Sequence, residues 1–173
     1  MKQFLFSFFA LLLLLGVGGF LLIYSGLYSV AATAEHTAFE RWVLETAKRQ
    51  SVAQAARDVD VPDLEDHAAI LRGAGSYQAM CLTCHGAPGV ERSAMGRGLN
   101  PLAPEPEEML RLWSPEEMFW ITKNGIRMTG MPAWGATHTE EELWELVAFI
   151  QEVEGMTPEE YEAIVADAPE HEH

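Results

Sequence analysis

The chain has 173 residues, room for one domain of ordinary size with attachments. Its formal net charge is −15, from 11 Lys and Arg against 26 Asp and Glu. That balance excludes nucleic acid and anionic lipid as charge-matched partners, because both need basic patches.

Between Phe4 and Ile23 the only polar side chain is Ser7, and there is no charge. A helix of about 20 apolar residues crosses a ~30 Å hydrocarbon core. Residues 1–30 therefore read as a transmembrane anchor, with Lys2 at the cytoplasmic end and Tyr24 and Tyr28 at the far interface. A cleaved signal ending near Ala32-Thr33-Ala34 is the alternative, but such signals carry apolar stretches of about 7–15 residues, shorter than this one. Under either reading the remainder is exported.

Residues 31–62 read as a helical spacer. Phe39, Trp42, Val43, Thr46 and Ala47 recur near the helical period between Thr37 and Val59. Ser51 and Gln54 have capping-box spacing, so a break is expected near Gln50. The segment either lifts the main domain off the membrane or packs against that domain. Val61-Pro62-Asp63 is punctuation, and Asp63 is the expected N-cap of a helix running to about Met80. Gly86 to Pro106 is rich in Gly and Pro, has no period, and reads as loop. Ser114, Pro115 and Glu117 open a second helix with a capping box, and Asn124-Gly125 closes it, with Gly125 suited to a left-handed C′ position. Thr139 and Glu142 cap a third helix through Leu143, Leu146, Val147 and Ile150. Thr157-Pro158-Glu159-Glu160 starts a short last helix before an acidic tail holding His171 and His173. The expected division is an anchor at 1–30, a spacer at 31–62, a core domain at 63–155, and a terminal helix and tail at 156–173. No strand pattern or repeat is present, so the fold class is all-α.

The chemistry concentrates in Cys81-Leu82-Thr83-Cys84-His85. Two cysteines three apart lie near one helical turn, where each sulfur can add to one vinyl group on the same side of a porphyrin. The following histidine then places an imidazole below the iron. Two cysteines in an exported chain would otherwise form a disulfide, a CxxC redox dithiol wants a βαβ context, and a zinc site wants a second ligand pair. None of those contexts is present in the sequence. A one-electron haem carrier keeps both axial positions filled, and a thioether opposite the imidazole raises the potential. Met131 is the first candidate for that ligand and Met128 the runner-up, in Met128-Thr129-Gly130-Met131-Pro132-Ala133-Trp134, whose Gly and Pro keep the backbone irregular. His36, His67 and His138 lack ligand spacing and read as ordinary polar residues. His171 and His173 read as tail.

Over residues 64–155 the chain resembles the class I c-type cytochromes, and more narrowly their membrane-anchored monohaem bacterial members. The resemblance rests on the CxxCH motif, on Gly73 and Tyr77 standing eight and four residues before Cys81, on Leu146-Val147-Ala148-Phe149-Ile150, and on a methionine preceding Pro132. It implies the cytochrome c fold, about three core helices around one covalently bound haem c, with the first and last helices crossing steeply where Gly73 admits Phe149. It also implies that His85 donates its Nδ1–H to a backbone carbonyl, with Pro101 the first choice and Pro88 and Pro104 its rivals. Trp113, Trp120 and Trp134 are candidates to border the haem, with Ala87, Pro88 and Gly130 around its exposed edge.

The expected function is that of a single-electron carrier rather than an enzyme. It would work on the periplasmic side of a bacterial inner membrane, between respiratory or dehydrogenase partners that present basic docking surfaces to its acidic one. The alternatives are a permanent haem subunit of a larger membrane oxidoreductase and, from a different class, a haem enzyme or gas sensor with an open sixth site.

Overall fold

In the computed structural model, which describes residues 1–169, the first helix, α1, runs from Lys2 to Ser25. None of its residues is buried, and by length and composition it is able to cross a membrane. His171 and His173 lie outside the described residues. The chain divides into two compact units, Met1–Glu35 and His36–His173.

The second unit begins with α2, Ala38–Ala55, whose N-terminus is closed by a capping box. The Glu40 N–H donates to Thr37 Oγ1 at 3.3 Å, and the Thr37 N–H donates to Glu40 Oε2 at 2.7 Å. The break expected near Gln50 is absent: one helix continues through Ser51 because Val52 is buried and holds the register. This helix packs against a later one, Pro115–Asn124, so of the two roles open to the segment the structure shows the packed one.

Helix α3 spans His67–Met80. Its N-cap is Asp66, not Asp63: the Ala68 N–H donates to Asp66 Oδ1 at 3.2 Å, while Asp63 accepts from the Glu65 N–H and shapes the turn before it. The motif turn follows as α4, Leu82–His85. The stretch after it is not all loop. Ser93 caps a single turn, α5, Ala94–Arg97, and Glu105 precedes α6, Pro106–Leu112, which has Pro at its first position, Glu107 and Glu108 in its first turn and Arg111 in its last. Helix α7, Pro115–Asn124, α8, Glu140–Glu152, and α9, Pro158–Asp167, each start with a capping box, from Ser114/Glu117, Thr139/Glu142 and Thr157/Glu160. A short 3₁₀ turn covers Trp134–Ala136. Among the described residues there is no strand, only a bridge between Ala87 and Val90.

The core is built where α3 crosses α8, the most extensive helix packing among the described residues. Ala74, Tyr77, Leu146, Val147 and Phe149 are essentially inaccessible there, and Tyr161 of α9 closes one side. A Cβ added at Gly73 would collide with the Glu145 carbonyl oxygen and sit 2.9 Å from Phe149 Cβ. Glycine is required because two backbones touch at this point, with the Glu145 peptide, more than the Phe149 ring, as the limiting contact. The Tyr77 and Phe149 rings lie 5.4 Å apart, and the Tyr77 hydroxyl donates to the Gly86 carbonyl at 2.6 Å. One tyrosine thus ties the helix crossing to the turn that carries the motif.

Candidate functional site

Cys81, Cys84 and His85 face a single cavity of about 830 Å³, within the ~300–1,000 Å³ typical of cofactor sites. Met131 lines the same cavity, and so do Trp113, Trp134 and Gly130. Three expected neighbours are not in its wall. Trp120 of α7 is half-buried outside the wall, and Ala87 and Pro88 line a separate, smaller cleft. Met128 is also outside the cavity wall. It is 84% exposed, at φ 62, a left-handed position that turns its side chain to solvent.

The motif turn is fixed from both sides. The Ser93 N–H donates to the Thr83 carbonyl at 3.1 Å, which places α5 against it. His85 Nδ1 donates to the Pro104 carbonyl at 2.8 Å. The first-choice acceptor, Pro101, is therefore replaced by its rival three residues on. Backbone carbonyls are chemically alike, and only the path of the chain into α6 decides which one reaches the ring. Burial lowers the His85 pKa, and the Arg92 charge adds to this against the Pro104 hydrogen bond. The ring is therefore held neutral with Nδ1–H committed, which leaves Nε2 with a free lone pair, the form that binds a metal. The Cys81 thiol is pushed up to about 12, by burial first and by Cys84 second. A redox dithiol needs a thiol that ionises easily, so this environment is wrong for dithiol exchange. Both cysteines are free of disulfides.

The Met131 segment is cross-linked onto the end of α7. The Ile126 N–H donates to the Met131 carbonyl at 3.2 Å. Thr129 Oγ1 donates to the Ile126 carbonyl at 2.7 Å and accepts from the Met131 N–H at 3.1 Å. Gly125 has φ 68, and a Cβ there would stand 2.8 Å from the Met131 oxygen. Its φ is left-handed as expected at a C′ position, but ψ is −176°, which aims the chain back along this segment instead of completing the usual cap.

Arg92, which no sequence motif marks, also lines the cavity. Its Nη2 is 3.3 Å from Glu105, while its buried Nε has no hydrogen-bond partner among the described residues. Buried donors are nearly always satisfied, so this N–H points to an acceptor that a bound group would bring. A largely apolar cavity with two thiols, one neutral imidazole, five methionine thioethers (Met131 among them) and an orphaned cationic donor fits an iron porphyrin carrying carboxylates. Lys48 and Arg49 of α2 are likewise invisible to motif reading. They line the cavity too, because α2 docks here, a fact that no local pattern announces.

An all-α core in which two crossed helices present a CxxCH turn to a cavity of cofactor size defines the c-type cytochrome class. Residues 68–150 match the family model described as cytochrome C oxidase, cbb3-type, subunit III, and this stretch is a c-type cytochrome domain. No curated protein matches the chain. The matched stretch starts inside α3 and ends inside α8, so α2 and α9 lie outside it. The fold is the cytochrome c fold with one N-terminal apolar helix, and a domain of this class binds haem for electron transfer.

Proposed function

We propose that the chain is a membrane-anchored single-electron carrier. One haem c would be joined through Cys81 and Cys84 and held axially by His85 and Met131. The observation that supports this most strongly is that these four side chains line one cavity, with the His85 Nδ1–H already committed to Pro104. Haem bound there supplies a one-electron iron couple. His85 holds the proximal position with a fixed tautomer. Met131, set by Gly125 and Thr129, supplies a soft thioether and closes the second axial position to small ligands. Tyr77 and the α3–α8 crossing hold the motif turn rigid, so that little reorganises when charge changes.

In this reading residues 1–30 anchor the protein in a bacterial inner membrane and residues 31–62 connect to a haem domain at 63–155 on the periplasmic face, with 156–173 as a terminal helix and tail. The acidic surface steers redox partners with basic docking sites, in brief encounters weakened by salt. The protein is a carrier and not itself a catalyst. A second reading is favoured by the description of the matching family, which names an oxidase subunit: the same domain as a permanent electron-transfer subunit of a membrane complex.

Optical spectra of the full chain in detergent test the proposal. Haem that survives denaturing extraction, a sharp reduced α-band, and no carbon monoxide shift are expected. Carbon monoxide binding to the reduced wild type would overturn six-coordination and bring back an open-iron enzyme or sensor. Gentle solubilisation separates the two carrier readings, since a free carrier migrates alone and a subunit migrates with its complex.

A further inference from the structure

Helix α2 lies wholly outside the stretch that defines the cytochrome domain, yet three of its residues, Glu45, Lys48 and Arg49, reach the cofactor cavity. Lys48 Nζ and Arg49 Cζ each stand 5.7 Å from the centre of the Trp113 ring, itself part of the cavity wall. Both cations thus stand over an aromatic ring of the cavity wall, Lys48 partly shielded from water and Arg49 with half of its side chain exposed. The Lys48 side chain is only 24% exposed.

Their charge is only partly compensated within α2. Glu45 pairs with Lys48 at 2.7 Å and, more loosely, with Arg49 at 3.9 Å. One carboxylate against two cations leaves a surplus of one positive charge. Of the other charges at the cavity, Arg92 is paired with Glu105 and Glu108 adds a carboxylate, so the surplus is local to Glu45, Lys48 and Arg49, in a chain whose net charge is −15. A chain with only 11 Lys and Arg places three of them here. The group that this cavity fits carries two carboxylates on an otherwise apolar macrocycle, and cations partly shielded from water are the complement of such carboxylates.

We propose that Lys48 and Arg49 bind a haem propionate beside Trp113, so that α2 is a built-in wall of the cofactor site and not only a connection to the anchor. This rests on the haem reading above. Lys48 and Arg49 lower the cost of burying the carboxylate and hold positive charge near the iron, which favours the reduced state.

The test uses the full-length, haem-loaded chain in detergent, comparing Lys48→Gln, Arg49→Gln and the double variant with Arg41→Gln. Arg41 is on the same helix, donates to the His36 carbonyl and does not line the cavity. The double variant is expected to shift the propionate bending mode in resonance Raman and to lower the reduction potential, while Arg41→Gln moves neither. The charge-conserving pair Lys48→Arg with Arg49→Lys is expected to return both readouts towards wild type, which a merely misfolded helix would not do. Double-variant readouts that coincide with those of Arg41→Gln would overturn the proposal, as would a conservative pair that fails to rescue. A wild-type chain with no Soret band would instead remove the haem reading itself, so the two failures are distinguishable.

Discussion

Replacing Gly73 with alanine adds a single methyl group where α3 meets α8. On an open helix surface this change is favourable by roughly 1 kcal/mol, because alanine is the better helix former. Here the new Cβ would overlap the Glu145 carbonyl oxygen and approach Phe149 Cβ to 2.9 Å, against ordinary contact from 3.4 Å. Neither neighbour is a flexible side-chain tip, so α8 must retreat. A gap of about 0.5–1 Å forfeits a quarter to a half of each dispersion contact it opens. Ala74, Tyr77, Leu146 and Phe149 all lie at this crossing. With burial of each of the three large side chains worth about 1.5–3 kcal/mol, the loss is about 1–4.5 kcal/mol before the helix gain and, at the centre of that range, about 2 kcal/mol after it. For a domain of this size that is a fall in melting temperature of roughly 6–8 °C. Denaturant and thermal titrations of the haem-loaded chain, followed by tryptophan fluorescence and the Soret band, measure it. A variant as stable as wild type, or more stable, would mean that the crossing is not backbone-limited and that the close approach at Gly73 carries no energetic weight.

Met131→Ala is expected to abolish the weak charge-transfer band of thioether-ligated ferric haem and to open the reduced iron to carbon monoxide, both read in the optical spectrum. Met128→Gly is expected to keep that band and to be neutral or stabilising by up to about 1 kcal/mol, since φ 62 suits glycine; loss of the band would reverse the ligand assignment. Tyr77→Phe orphans the buried Gly86 carbonyl and should cost about 1–3 kcal/mol in denaturant titration, with the haem spectrum retained. Thr139→Ala removes one half of a capping box and should cost about 1 kcal/mol, most of which Thr139→Ser restores.

What could be read from the chain was whatever is written locally. The capping boxes at Ser114, Thr139 and Thr157 each need four consecutive residues and no tertiary partner, and those helices begin where their sequences say. The CxxCH turn is equally local. Features that depend on distant parts of the chain were less legible. Asp63 and Asp66 have the same capping chemistry, and only the placement of α3 in the core chose between them. Helix α6 carried its signals in Pro106, Glu107, Glu108 and Arg111, but so short a segment is helical because Met109 is buried, which the sequence does not state. Ser51 and Gln54 imitate a helix start, and the burial of Val52 overrides it. Arg92, Lys48 and Arg49 had no motif at all: their place at the cavity comes from the docking of whole elements.

Among the described residues four helices carry the same kind of reciprocal latch at their first turn, Thr37/Glu40, Ser114/Glu117, Thr139/Glu142 and Thr157/Glu160. Each start signal travels with its own helix, so the connecting segments are free to lengthen or shorten without shifting where the next helix begins. The excursion between His85 and Pro106 has room for the extra turn of α5 on those terms. Such a scaffold is modular in a physical sense: insertions between latches re-dress the surface that partners meet, while the frame that presents the motif turn stays in register.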